Sequence, residues 1–153
     1  MKTLIIGYGN TLRKDDGLGV YAAQSLTSIV QPKDVEVLIC QQHSPEMSAN
    51  LAQVEQAIFI DATLGIQSEA PGTIKTRRLG PRTTQPSGIT HHFDPETLLA
   101  MAEILYDHVP QAILFTVTAA SIDLGEGLSP EVSAALPVLI ENIKKYLFTL
   151  SQA

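Results

Sequence analysis

Thr3-Leu4-Ile5-Ile6-Gly7-Tyr8-Gly9-Asn10 decides the fold. It is a short apolar run without polar alternation, closed by a glycine-bearing turn, and it predicts a buried strand that ends at that turn. Just downstream, Leu18, Ala22, Leu26 and Ile29 recur at helical spacing. A strand feeding a turn and then a helix is the first half of a βαβ unit, and the rest of the chain continues the pattern. Val35 to Cys40 reads as a second strand, Ala57 to Ile60 as a third that ends at Asp61, and Ala112 to Ala119 as a fifth. Between them, Gly72 to Leu79 alternates and is flanked by Pro71-Gly72 and Gly80-Pro81, which predicts an edge or antiparallel strand. Ser44-Pro45-Glu46, Asp94-Pro95-Glu96 and Ser129-Pro130-Glu131 each read as a helix start: a capping side chain, proline at the first helical position and an acid in the first turn. The inner faces are Leu98, Leu99, Ala102 and Leu105 in one helix and Val132, Leu136, Leu139, Ile140, Ile143 and Leu147 in the last. Arg82 to Thr90 and Ser121 to Gly127 read as loops. Continuously apolar strands alternating with helices imply an α/β fold, a mainly parallel sheet with helices on both faces.

The 153 residues make one domain, spanning 1–153, with no repeat or linker. With 44% hydrophobic and 17% charged residues the chain is neither disordered nor of low complexity. Ten basic residues against sixteen acidic ones leave a net charge of −6, which argues against nucleic acid as a partner. No apolar run reaches the ~20 residues of a membrane span, so no membrane partner is expected. The opening reaches Gly7 too soon to hold a signal-peptide core, and the expectation is a cytoplasmic protein. The single cysteine, Cys40, lies within an apolar strand and reads as a reduced, buried thiol rather than an activated one.

In parallel α/β sheets ligands bind outside the carboxyl ends of the strands. Those positions are Gly7 to Gly19, Gln41 to Ser44, Asp61 to Thr63 and Ala119 to Asp123. The Gly7-Tyr8-Gly9 turn is similar to a dinucleotide fingerprint, but Leu12 replaces its third glycine. Asp15 and Asp16 would also face a pyrophosphate with the wrong charge. Asp15-Asp16-Gly17 reads either as a solvated turn or helix cap, or as a carboxylate site. Asp61 has the same two readings. His91-His92 precedes a helix N-terminus, where neutral imidazole, the metal-binding form, is favoured. Two carboxylates and an imidazole form a donor set suited to a borderline divalent ion such as nickel or zinc, with positions left open for water or substrate. His43 and His108 read as surface residues, and Asp123 and Glu126 as members of a solvated loop. Gly-x-Ser-x-Gly does not occur, so there is no serine nucleophile elbow.

From Leu4 to about Leu147 the chain resembles the maturation endopeptidases of nickel–iron hydrogenases. The resemblance rests on Ile6-Gly7-Tyr8-Gly9-Asn10-Thr11-Leu12, Asp15-Asp16-Gly17-Leu18-Gly19-Val20, Asp61-Ala62, His92 and Gly127-Leu128-Ser129-Pro130. It implies a three-layer α/β/α fold with a twisted five-stranded sheet. It also implies an activity: removal of the C-terminal peptide of a nickel-loaded large-subunit precursor. The nickel belongs to the substrate and serves for recognition, with Asp16, Asp61 and His92 as the metal-contacting and catalytic positions. No nucleotide-like cofactor is implied, and the protein is expected to act as a monomer. Two departures stand out: Phe93-Asp94-Pro95 follows the histidine where the family often has Gln-Leu, and Asp16 stands where many members carry Glu. The start Leu4-Ile5-Ile6-Gly7-Tyr8-Gly9-Asn10 is also similar to peptidyl-tRNA hydrolases, which need a basic face and an early histidine. This chain is acidic, and its first histidine is His43. A non-enzymatic nickel-binding accessory protein would use the same three ligands.

Overall fold

The computed structural model describes residues 2–30, 33–65, 68–83 and 94–152. Five strands, β1 (Thr3–Tyr8), β2 (Val35–Cys40), β3 (Gln56–Thr63), β4 (Ile74–Leu79) and β5 (Gln111–Thr118), form one sheet in the order β2-β1-β3-β5-β4. Four are parallel, and β4 runs antiparallel to β5 on one edge. The helices are α1 (Leu18–Thr27), α2 (Met47–Leu51), α3 (Pro95–Tyr106) and α4 (Pro130–Ser151).

The unbroken apolar character of β1 follows from its place between two helical layers. Ile5 joins Leu18, Leu26, Leu139 and Ile143 on the face covered by α1 and α4. Leu4 and Ile6 point the other way and join Met47, Leu51, Leu98 and Leu99 beneath α2 and α3. Each such fully buried side chain contributes about 1.5–3 kcal/mol relative to exposure. The first layer lies unusually close to the sheet because Gly7 and Gly19 face each other: a Cβ on Gly7 would come within 2.2 Å of the Gly19 carbonyl oxygen. Helix α1 is thereby seated directly against β1 and β3.

The caps at Asp94 and Ser129 form as expected: Asp94 accepts from the Thr97 amide, and Ser129 from that of Val132. The Ser44 start does not. Ser44 and Pro45 form a turn whose carbonyls accept from Met47 and Ser48, and the short α2 begins only at Met47. Two positions expected on inner helix faces are exposed. Ile29 lies beyond the end of α1, and Leu105 lies in the last turn of α3, past the edge of the layer it covers. Cys40 is half-buried rather than buried, because β2 is an edge strand. No helix among the described residues is long and apolar enough to cross a membrane.

Candidate active site at the carboxyl ends of the strands

Strand β1 is in register with β3, Gly7 opposite Ile60, so the next pair along is Tyr8 and Asp61. Both fall on the face opposite Ile5 and Ile60, at the end where the parallel strands finish. The Tyr8 hydroxyl lies beside the Asp61 carboxyl. Burial pushes the Asp61 carboxyl up to about 7; the Asp16 charge adds to that, while the Tyr8 hydroxyl and the Ala62 amide oppose it. Burial and the neighbouring Asp61 raise the Tyr8 hydroxyl above the usual phenol range, so Tyr8 remains a donor at neutral pH.

Asp16 reaches the same cleft from the loop after β1. Gly9 makes that possible: its φ is +147°, and a Cβ there would come within 1.8 Å of the Asp16 carbonyl oxygen. The chain then passes through a 3-10 turn at Lys14–Gly17 before entering α1. The Asp16 carboxylate accepts from the Asn10 amide at 2.8 Å, which fixes its direction.

Asp15, beside it, is fully buried and faces away from the cleft's acids. Its carboxylate accepts from the amides of Ala120, Ser121 and Ser129 at 2.8, 3.1 and 2.7 Å and from the Ser129 hydroxyl at 2.8 Å. Burial would raise its pKa, but the bonds from Ser129, Ala120 and Ser121 outweigh it and hold the carboxyl below the usual range. Asp15 thus ties the loop carrying Asp16 to the loop after β5 and to the start of α4. Backbone bonds between Lys14 and Gly125, and between Gly125 and Leu12, complete the clasp.

His43 occupies the third wall, and not the surface position expected for it. Its ring stacks on Tyr8 at a centroid distance of 3.7 Å and meets Phe59 edge-on at 5.7 Å. Both ring nitrogens are buried without a hydrogen-bond partner among the described residues. Burial lowers its pKa to about 4 against an opposing pull from Asp94, so the imidazole is neutral at pH 7. Asp94 faces the same cleft from the start of α3 and is ion-paired with Arg82. The cleft, of about 540 Å³, is lined by Tyr8, Asp16, His43, Asp61, Asp94 and Pro95 among others.

The structure therefore brings Asp16 and Asp61 together. His91 and His92 lie outside the described residues. Among the described residues no third His, Cys, Asp or Glu joins the two acids closely enough for three to hold one ion, so His43 is not that third group. His108 is exposed, as expected, and its ring bonds the Val54 carbonyl oxygen at 2.7 Å. Asp123 and Glu126 lie in the loop after β5, away from the acids of the cleft. Sequence patterns alone do not reveal the roles of Tyr8 and His43, although both belong to the segments that follow strands. Strand parity is the available signal for Tyr8, which shares a face with Asp61 once β1 and β3 are paired.

No family model matches the chain. It is similar to the hydrogenase 2 maturation protease of Escherichia coli (strain K12), with 26% identity over 150 residues, 94% of this chain and 88% of that protein. Among solved structures it is similar to the hydrogenase maturating endopeptidase HybD from E. coli, at TM-score 0.79 and 25% identity, covering 97% of this chain and 93% of that one. The [NiFe] hydrogenase maturation protease HybD from Thermococcus kodakarensis gives TM-score 0.70 at 25% identity, over 95% and 99% of the two chains. The HycI protease of Thermococcus kodakarensis KOD1 shares the fold, at TM-score 0.76 and 22% identity over 94% and 90%.

Proposed function

The chain belongs to the hydrogenase maturation protease family, and on that premise we propose that Asp16 and Asp61 read the nickel of a hydrogenase large-subunit precursor. It is an endopeptidase of the family that trims the C-terminal end of that precursor. The observation that carries the reading of its site is the meeting of two carboxylates in one cleft at the carboxyl ends of the strands, with one of them pushed up to about 7. Such a pair repels itself when empty and is relieved by a bound cation. His92 is the third ligand, two residues before the Asp94 cap of α3.

Nickel is part of the substrate in this account. Open coordination positions on it accept Asp16, Asp61 and His92, which brings the scissile peptide against the cleft. Docking on nickel displaces the Asp61 proton to solvent, leaving a carboxylate beside the Tyr8 hydroxyl, a donor that favours the charged form. A bound cation polarises a carbonyl or lowers the pKa of water. A carboxylate oxygen not engaged by metal accepts the proton of the attacking water. Water adds across the peptide bond, and the released tail leaves with a new amine. Cleavage that depends on the metal also protects a precursor that has not yet received it, because the catalytic constellation is incomplete without nickel.

The experiment is direct. Purified protein is incubated with nickel-loaded and with nickel-free large-subunit precursor, and intact mass is followed. A C-terminal mass loss confined to the nickel-loaded form is expected. Binding of the nickel-loaded precursor without any cleavage would favour an accessory protein over a protease.

A further inference from the structure

The two edges of the sheet differ. Strand β4 carries Lys75, Arg77 and Arg78 within six residues, the kind of charged edge that blocks strand addition. Strand β2 closes the opposite edge with the sequence Val-Glu-Val-Leu-Ile-Cys, whose only charge is Glu36. Its Asp34 and Cys40 ends fix the direction of its backbone groups: the Asp34 carbonyl accepts from Thr3, and the Cys40 carbonyl from Gly9. Backbone groups alternate sides along a strand. Residues 36 and 38 therefore also face β1, while the N–H and C=O groups of Val35, Val37 and Ile39 face outward. No strand among the described residues pairs with that outer edge.

The groove that borders the same edge beside α1 consists of two separate depressions. Thr27, Val30, Val35, Glu36 and Val37 line its far part. Leu12, Val20, Ile39 and Gln41 line its near part, with Ile39 44% and Leu12 55% exposed. The near part shares Gly9 and Gln41 with the catalytic cleft. The unpaired strand edge thus ends beside the cleft that holds the two carboxylates.

We propose that the outer edge of β2 and the groove beside α1 dock the precursor's C-terminal tail as a sixth, extended strand. The inference rests on the proteolytic reading of the cleft. The metal-bound body of the substrate lies on the N-terminal side of the scissile bond, at the carboxyl end of β2. The tail must run away from that point, toward the start of β2, and so lies antiparallel to it. Main-chain bonds to Val35, Val37 and Ile39 supply affinity, and alternate tail side chains enter the apolar groove. A tail segment of about six residues matches β2, at about 3.3 Å per residue. Small or apolar residues suit the groove positions.

The test uses pulse-labelling amide hydrogen exchange in the full-length unaltered protein, sampled before the first turnover is complete. Nickel-loaded precursor should slow exchange at Val35, Val37 and Ile39 by about tenfold or more, whereas tail-less mature large subunit should leave them unchanged. In the otherwise unaltered enzyme, Val37→Pro removes an outward N–H at a position where an edge strand tolerates proline. It should raise KM by about tenfold with kcat nearly unchanged, the effect of losing one or two net hydrogen bonds. Ile39→Lys, which leaves the backbone intact, should do the same and covers the case in which the proline variant does not fold. Unchanged exchange and unchanged KM, with the unaltered protein still cleaving, would overturn the docking strip and leave the proteolytic reading standing. Protection at these amides that grows with the protein's own concentration would assign the edge to a second copy and also overturn it. Failure of the unaltered protein to cleave nickel-loaded precursor would overturn the proteolytic reading itself, and this inference with it.

Discussion

Asp61 leaves a strand that is apolar on both faces, and its neighbours determine what its carboxyl can do. Its pKa of about 7 lies above the ordinary 3.8, so on raising the pH the unfolded chain loses this proton first. Its contribution to stability therefore falls between about pH 4 and pH 7. His43 acts in the opposite sense. With a pKa of about 4 against an ordinary 6.5, it stabilises the fold at neutral pH and loses that contribution as pH falls through the same range. The two slopes oppose each other in the metal-free enzyme. Asp61→Asn should expose the His43 slope alone: its melting temperature should climb from about pH 4 to about pH 6.5 and exceed that of the unaltered protein above about pH 7, as scanning calorimetry can measure. A further expectation concerns the adjacent histidines. His92→Ala should be inactive or severely slowed on nickel-loaded precursor and His91→Ala should retain most activity. The reverse ranking would shift the ligand by one residue. At this scale the sequence makes Asp16 and Asp61 legible, because an acid at the end of an apolar strand stands out. His43 is not legible, since its burial comes from Tyr8 and Phe59 on two other strands.

The loop that carries Asp16 holds its shape through Asp15, and this is an effect between elements. One carboxylate collects four hydrogen bonds from the loop after β5 and the cap of α4. Asp15→Ala leaves buried amides without partners and should cost about 3 kcal/mol. For a chain of this length that lowers the melting temperature by roughly 10 °C. Cleavage should fall as well, because Asp16 loses its seat; thermal melting and precursor assays on one preparation check both. Asp94→Ala removes the cap of α3 and the ion pair with Arg82 and should cost about 1–2 kcal/mol, a smaller effect because both groups are partly solvated. Element boundaries follow the sequence wherever the local signal is also the structural cause, as with the proline-led caps of α3 and α4. The signal misleads at Ser44-Pro45, where the same residue pattern makes a turn. Only a five-residue helix follows, too short for its start to be governed by capping alone.

At the scale of the molecule, chain order brings the ends of β1 and β3 together in the middle of the sheet. The first acid comes from the loop after one and the second from the end of the other. That both acids reach one edge is predictable from the rule for parallel sheets, which places the carboxyl ends of the parallel strands together; that β1 and β3 are neighbours is seen only in the fold. The difference between the two sheet edges is not legible, since the strand order β2-β1-β3-β5-β4 is a tertiary fact. In the proposed mechanism Asp16 and Asp61 together read the substrate's nickel. The most direct measurement is the intact mass of nickel-loaded precursor after incubation with the unaltered protein, with Asp16→Asn and with Asp61→Asn. A C-terminal mass loss is expected with the unaltered protein and none with either variant, each of which should melt at or above the unaltered temperature at neutral pH. Cleavage by either folded variant at the unaltered rate would contradict that mechanism.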